Sequence, residues 1–197
     1  MKRAAPLLLI PLVLAGCQPK TEPAAAPPAE AAAPPPPAPD SPEGKIMSAT
    51  SAAPASIAAQ AAVMDFGATM DAPMVELRKG TNGWMCIPDM AMSPGKDPMC
   101  LDASFGQWAE AWMQHKDPKL TQPAVSYMLQ GSSDASNTDP FAMEPPAGQT
   151  WIASGPHIMV AVPNPKSLDG MNDDSSTGGP WVMYKGTPYA HLMIPIR

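Results

Sequence analysis

Residues 18–54 are dominated by Pro, Ala and Ser, with four consecutive prolines at positions 34–37. Such a composition buries too little apolar area to offset the entropy of ordering the chain. The expectation is a disordered linker of polyproline II character. At about 3.1 Å per residue it would reach roughly 100 Å if fully extended. Folding is thereby confined to residues 55–197, enough for one modest domain. Much of the 45% hydrophobic content is alanine from the N-terminal third, which overstates the core.

Ahead of the linker stand Lys2 and Arg3, then an apolar run over residues 4–14 that is too short to span a bilayer. Leu14-Ala15-Gly16-Cys17 resembles the lipobox of bacterial lipoproteins. The resemblance implies a signal peptide over residues 1–16 and acyl chains on the thiol and new amino group of Cys17. Several chains on one residue give firm membrane anchoring. Residues 17–54 then serve as a spacer. Gln18 is not the aspartate of the inner-membrane retention signal, so the same resemblance implies an outer-membrane protein facing the periplasm. Without residues 1–16 the chain keeps 10 basic against 18 acidic residues, a net charge of −8. That charge, with no basic cluster, argues against nucleic acid and anionic headgroups as partners. The partners left are the membrane, through the anchor, and an envelope protein or small ligand.

With Cys17 assigned to lipid, Cys86 and Cys100 are the two remaining thiols. In an oxidising compartment they are expected to form a disulfide, worth about 3 kcal/mol for a loop near 15 residues. A redox role is the alternative, but the spacing is far from Cys-x-x-Cys and no basic residue adjoins either thiol.

Periodicity predicts an α+β domain, mainly antiparallel sheet with one amphipathic helix packed on it. Residues 57–64 fit helix or strand equally. Residues 74–78 and 84–87 flank Asn82-Gly83 and predict a hairpin. Residues 102–116 predict the helix. Ser104 and Gln107 match a capping box, and Phe105, Trp108, Ala109, Trp112 and Met113 form one face. That face either covers the sheet or presents the tryptophans to a ligand. Strands are expected at 125–129, from 151, at 158–162, at 181–184 and within 189–196, with a turn at 185–188.

Two tripeptides stand out: His157-Ile158-Met159 and His191-Leu192-Met193. In a strand, residues two apart share a face, so each imidazole lies beside its own thioether. If the strands are neighbours, two His and two Met would converge. Imidazole with thioether is a soft ligand set suited to copper, Cu(I) above all. The elements resemble the His-x-Met chemistry of periplasmic copper carriers without their complete motif. The competing reading is ordinary core, where Met fills gaps and a buried His is simply hydrogen-bonded. Residues 131–140 and 169–176 are dense in side-chain oxygens. Neither matches a calcium-binding loop, and solvated loops account for them.

No nucleophile elbow, zincin motif, phosphate loop or dinucleotide fingerprint is present. A spatially assembled site using Ser126 or Ser136, Asp139 and His157 or His191 would make a hydrolase, and any chain of this length permits such a combination. The segments 80–89, 97–102, 132–140, 155–157 and 185–193 resemble a group of uncharacterised exported bacterial proteins. That resemblance implies one domain and no particular activity. The expectation is a non-enzymatic envelope lipoprotein, with copper at His157, Met159, His191 and Met193 as its sharpest form. A structural or protein-interaction lipoprotein is the alternative.

Overall fold

The computed structural model describes residues 35–67, 72–90 and 92–196. The expected signal peptide, Cys17 and the first part of the linker lie outside the described residues. From Pro36 onward the chain forms one compact unit of α+β class.

Among the described residues ten short strands follow one another: β1 (Ala62–Asp65), β2 (Val75–Arg78), β3 (Met85–Ile87), β4 (Met99–Leu101), β5 (Ala124–Met128), β6 (Ser132–Asp134), β7 (Ile152–Ser154), β8 (His157–Ala161), β9 (Trp181–Met183) and β10 (His191–Pro195). Eight of them make one sheet in the order β2-β1-β3-β4-β5-β8-β10-β9, and β6 pairs with β7 as a separate ribbon. Every pairing is antiparallel except β1 with β3. Strands β5 and β8 alternate buried and half-buried along their length, as a sheet with unequal faces requires.

Among the described residues there are three α-helices, α1 (Pro42–Thr50), α2 (Ala55–Ala58) and α3 (Ala103–Met113), and two 3-10 turns, Pro165–Leu168 and Ser175–Thr177. Phe105 and Trp108 of α3 join Met128, Met159, Met183 and Met193 in the larger core. The helix starts on Asp102, whose Oδ1 accepts from Phe105 N at 2.6 Å. The expected cap, Ser104, is instead a buried first-turn residue whose hydroxyl accepts from Gln122. Asp102 also accepts from Val125 N through Oδ2, so it takes the cap while pinning the helix to β5.

The opposite face is built on smaller residues. Cys86 and Cys100 sit directly opposite on β3 and β4 and form a disulfide with their Cα atoms 4.0 Å apart. Ala49, Ala52, Ala53, Ala58, Ala61 and Val63 pack with it. Residues 42–54, expected in the linker, are therefore helix and docked chain. Ser41 caps α1 by accepting from Gly44 N, Pro42 opens it, and Ala52 O accepts from Leu129 N. Alanines contribute little area each, yet they let a helix approach a sheet closely.

The expected hairpin also differs. Strand β1 lies between β2 and β3, and residues 79–84 wrap around its start. Thr81 N donates to Gln60 O, Asn82 Nδ2 donates to Ile57 O, and Ala62 N donates to Trp84 O. Asn82 thus ties the connection to α2 rather than closing a two-residue turn. Gly80 is required there, because a Cβ would stand 2.1 Å from Ala62 N. Residues 57–64 satisfy both of their readings, ending α2 and then entering β1.

Ala52 is fully buried between α1 and the sheet. Ala52→Leu is expected to lower unfolding stability by about 1–3 kcal/mol through overpacking. Exposed Glu43→Ala should change it by less than about 0.5 kcal/mol. Chemical denaturation of the full chain measures both, and equal stabilities would mean that α1 does not dock.

Candidate functional site

Strand register assembles the site. Along β8 and β10, Pro195 faces His157, Met193 faces Met159, and His191 faces Ala161. All four residues singled out by the tripeptides therefore lie on one face, the one covered by α3. The two thioethers are direct cross-strand neighbours at its centre. The imidazoles do not converge: an antiparallel pairing centred on the methionines sends them to opposite ends. Four residues at about 3.3 Å each set them roughly 13 Å apart along the strands.

The flanking strands add residues that periodicity alone did not single out. Met128 of β5 faces His157, Ser126 faces Met159, and Met183 of β9 faces His191. Each imidazole consequently has one thioether across from it and another two residues along. Met128 and Met183 were visible as alternating strand residues, but nothing local says which strands pair.

Both histidines are held in the same way. His157 Nδ1 bonds the Gly155 carbonyl at 2.7 Å, and His191 Nδ1 bonds the Tyr189 carbonyl at 3.0 Å. A carbonyl only accepts, so Nδ1 carries the proton and Nε2 presents a lone pair. Both Nε2 atoms are buried without a hydrogen-bond partner. The turn before β10 positions Tyr189: Thr187 Oγ1 donates to Tyr184 O at 2.7 Å and accepts from Tyr189 N at 3.1 Å. Tyr184 itself takes a φ of 56° to enter that turn.

The surroundings of the two rings differ. Both are buried, His157 at 0% and His191 at 2% exposure, but His191 is enclosed edge-on by Phe105, Trp108 and Tyr184, with centroids 6.4, 5.2 and 5.5 Å away. Burial pushes it down to about 4, partly offset by the Tyr189 carbonyl and reinforced by the charge His157 would carry. His157 lines a cavity of about 160 Å³ together with Ser154, Gly155, Trp181 and Pro195. Burial lowers its pKa too, against the Gly155 carbonyl and the Asp97 carboxylate, which favour the proton. Ser154 Oγ and Trp181 Nε1, on the same cavity, are likewise buried without partners.

The ribbon β6–β7 contributes a half-buried carboxyl, Asp134. Ser132 faces Ser154 across it, and Ser132 Oγ donates to Asp134 Oδ2 at 2.9 Å. Burial, reinforced by the neighbouring Asp97, raises Asp134 to about 6. Part of the first oxygen-rich loop is thus strand. The rest closes turns: Ser136 Oγ accepts from Thr138 N and Asp139 N, and Asp174 Oδ1 accepts from Ser176 N. Among the described residues no three His, Cys, Asp or Glu side chains gather around a point. Thioethers are the only donors that extend either imidazole into a larger soft set.

Of the expected α3 face, Phe105 and Trp108 are buried in the core against the sheet, whereas Trp112 is half-buried against residues 140–141 and Met113 is exposed. Trp108 is 8% exposed, and Trp112 Nε1 donates to Pro140 O at 2.7 Å while its ring stacks on Phe141. Ser126, opposite Met159, has no hydrogen bond to either imidazole, so no nucleophile–base pair is formed there.

His191, with His157 acting in the same sense, and Asp134 impose opposite pH dependences on folding. His191 is harder to protonate folded than unfolded, so its contribution is full above pH 6.5 and lost as pH falls toward 4. Asp134 is easier to protonate folded, so its contribution is full below pH 3.8 and lost as pH rises through 6. Each amounts to about 3 kcal/mol and they nearly cancel between pH 4 and 6. Asp134→Asn should uncover the two histidines, which act in the same sense. Its stability should fall by about 3 kcal/mol from pH 6.5 to 4 in denaturant titrations, against a nearly flat parent. An equally flat variant would refute the assignment.

No family model, curated protein or solved structure matches the chain, so its function is argued from the site itself.

Proposed function

We propose that this protein is a lipid-anchored component of the bacterial envelope that binds a soft ion, Cu(I), on the histidine–methionine face of its sheet. One observation carries the reading. Met159 and Met193 face each other, and each strand adds, two residues away, an imidazole whose Nδ1 is held by a carbonyl and whose Nε2 has no partner. A metal-binding histidine characteristically has its other nitrogen fixed in this way. Thioether and imidazole together select Cu(I) over the hard divalent ions. Burial keeps both rings neutral at pH 7, the state that donates a lone pair. His157 with Met159 and His191 with Met193 are the donors in this proposal, one pair toward each end of the face, and no chemical step on a substrate is assigned.

The envelope half of the reading rests on Leu14-Ala15-Gly16-Cys17. Anchoring through Cys17 places the domain where two extra thiols oxidise and copper arrives from outside. Metabolic labelling with a palmitate analogue should mark the parent chain, and Cys17→Ala should abolish both the label and membrane association.

Titration of the full chain in detergent with Cu(I), against a chelator of known affinity, tests the site. His157→Ala combined with His191→Ala should weaken binding at least about 100-fold, since loss of an outer-shell partner alone costs up to about that much. Unchanged competition would dispose of the face as a metal site.

A further inference from the structure

We infer that the first ion is taken up at an outer site formed by His157, Met128 and Met159, entered through the cavity beside Trp181. This deepens the copper reading above and rests on it. Met128 faces His157 directly from β5, and Met159 stands two residues along the same strand as His157. Directly opposed side chains have Cβ atoms about 4.5–5.5 Å apart, within the reach of a flexible thioether. One nitrogen and two sulfurs are thereby offered to an ion without moving the backbone.

Neither ring is exposed, and what covers each one separates the two sites. The cavity along His157 measures about 160 Å³, roughly ten times what one water requires on the same measure. Ser154 and Trp181 share its wall and leave Oγ and Nε1 unpartnered. Asp97 adds negative charge that favours a cation at His157. Asp97 is itself fixed, accepting from Ser133 N at 2.8 Å and from the Ser93 hydroxyl. His191, with Met183 opposite and Met193 two residues along, offers the same donor types. Phe105 and Trp108 of α3, with Tyr184, close over that ring, so filling it requires α3 to lift. The outer site therefore fills first and the inner site slowly.

Ag(I), a soft ion that needs no reductant, is the probe, with Cu(I) under ascorbate as its partner. The first equivalent added to the full chain should bind rapidly and quench tryptophan fluorescence, and Trp181→Phe should remove most of that quench. Met128→Leu nearly conserves volume, so the fold survives. It should weaken the first equivalent about tenfold and leave the second unchanged. His191→Ala should spare the first equivalent. Loss of the first equivalent in His191→Ala, or its full retention in Met128→Leu, overturns the outer site while leaving copper binding intact. A parent chain that takes neither ion refutes the copper reading and the outer site together.

Discussion

The β8–β10 register is the constraint on which the rest depends. Five residue pairs run from His191 against Ala161 to Pro195 against His157. Side chains in a strand repeat every two residues, so a slip by one would send every His and Met to the other face. Ile158, Val160, Leu192 and Ile194 would then meet α3. Two local features hold the alignment. Ile196 N donates to Pro156 O at 2.8 Å at one end, and the Thr187 turn sets the entry to β10 at the other.

That register concentrates polar atoms where a core would ordinarily be apolar. Both Nε2 atoms, Ser126 Oγ, Trp108 Nε1 and Trp181 Nε1 are buried without partners. Each such group costs about 1–3 kcal/mol relative to a satisfied one. Proteins depart from local rules of this kind chiefly at functional sites. Abundant methionine is consistent with the same view, because thioethers fill volume while keeping a donor available. The other face carries no such burden: its alanines, Val63 and the Cys86–Cys100 disulfide form a small apolar cluster under α1.

Legibility followed the range of the interactions. The face of α3 was readable because its period is local, and Phe105, Trp108 and Trp112 fall where the spacing puts them. Its cap was misassigned by two residues because Asp102 also serves β5, which no local pattern contains. Asn82-Gly83 carries a hairpin signal, yet strand partners are chosen by long-range packing and β1 claimed the position. α1 was hidden by composition, although Ser41-Pro42 marks a helix start, because alanine-rich segments gain their stability only from a docking surface.

By itself the sequence determined that His157 lies beside Met159 and His191 beside Met193, because a two-residue period needs no knowledge of the rest of the chain. It likewise determined the α+β class and the short loop between the two cysteines. Only the tertiary structure decided that the methionines meet at the centre, that the imidazoles stand apart, and that Met128 and Met183 join them. Those outcomes depend on which strands pair and in which direction. That choice is made by the burial of whole faces, which no single segment encodes.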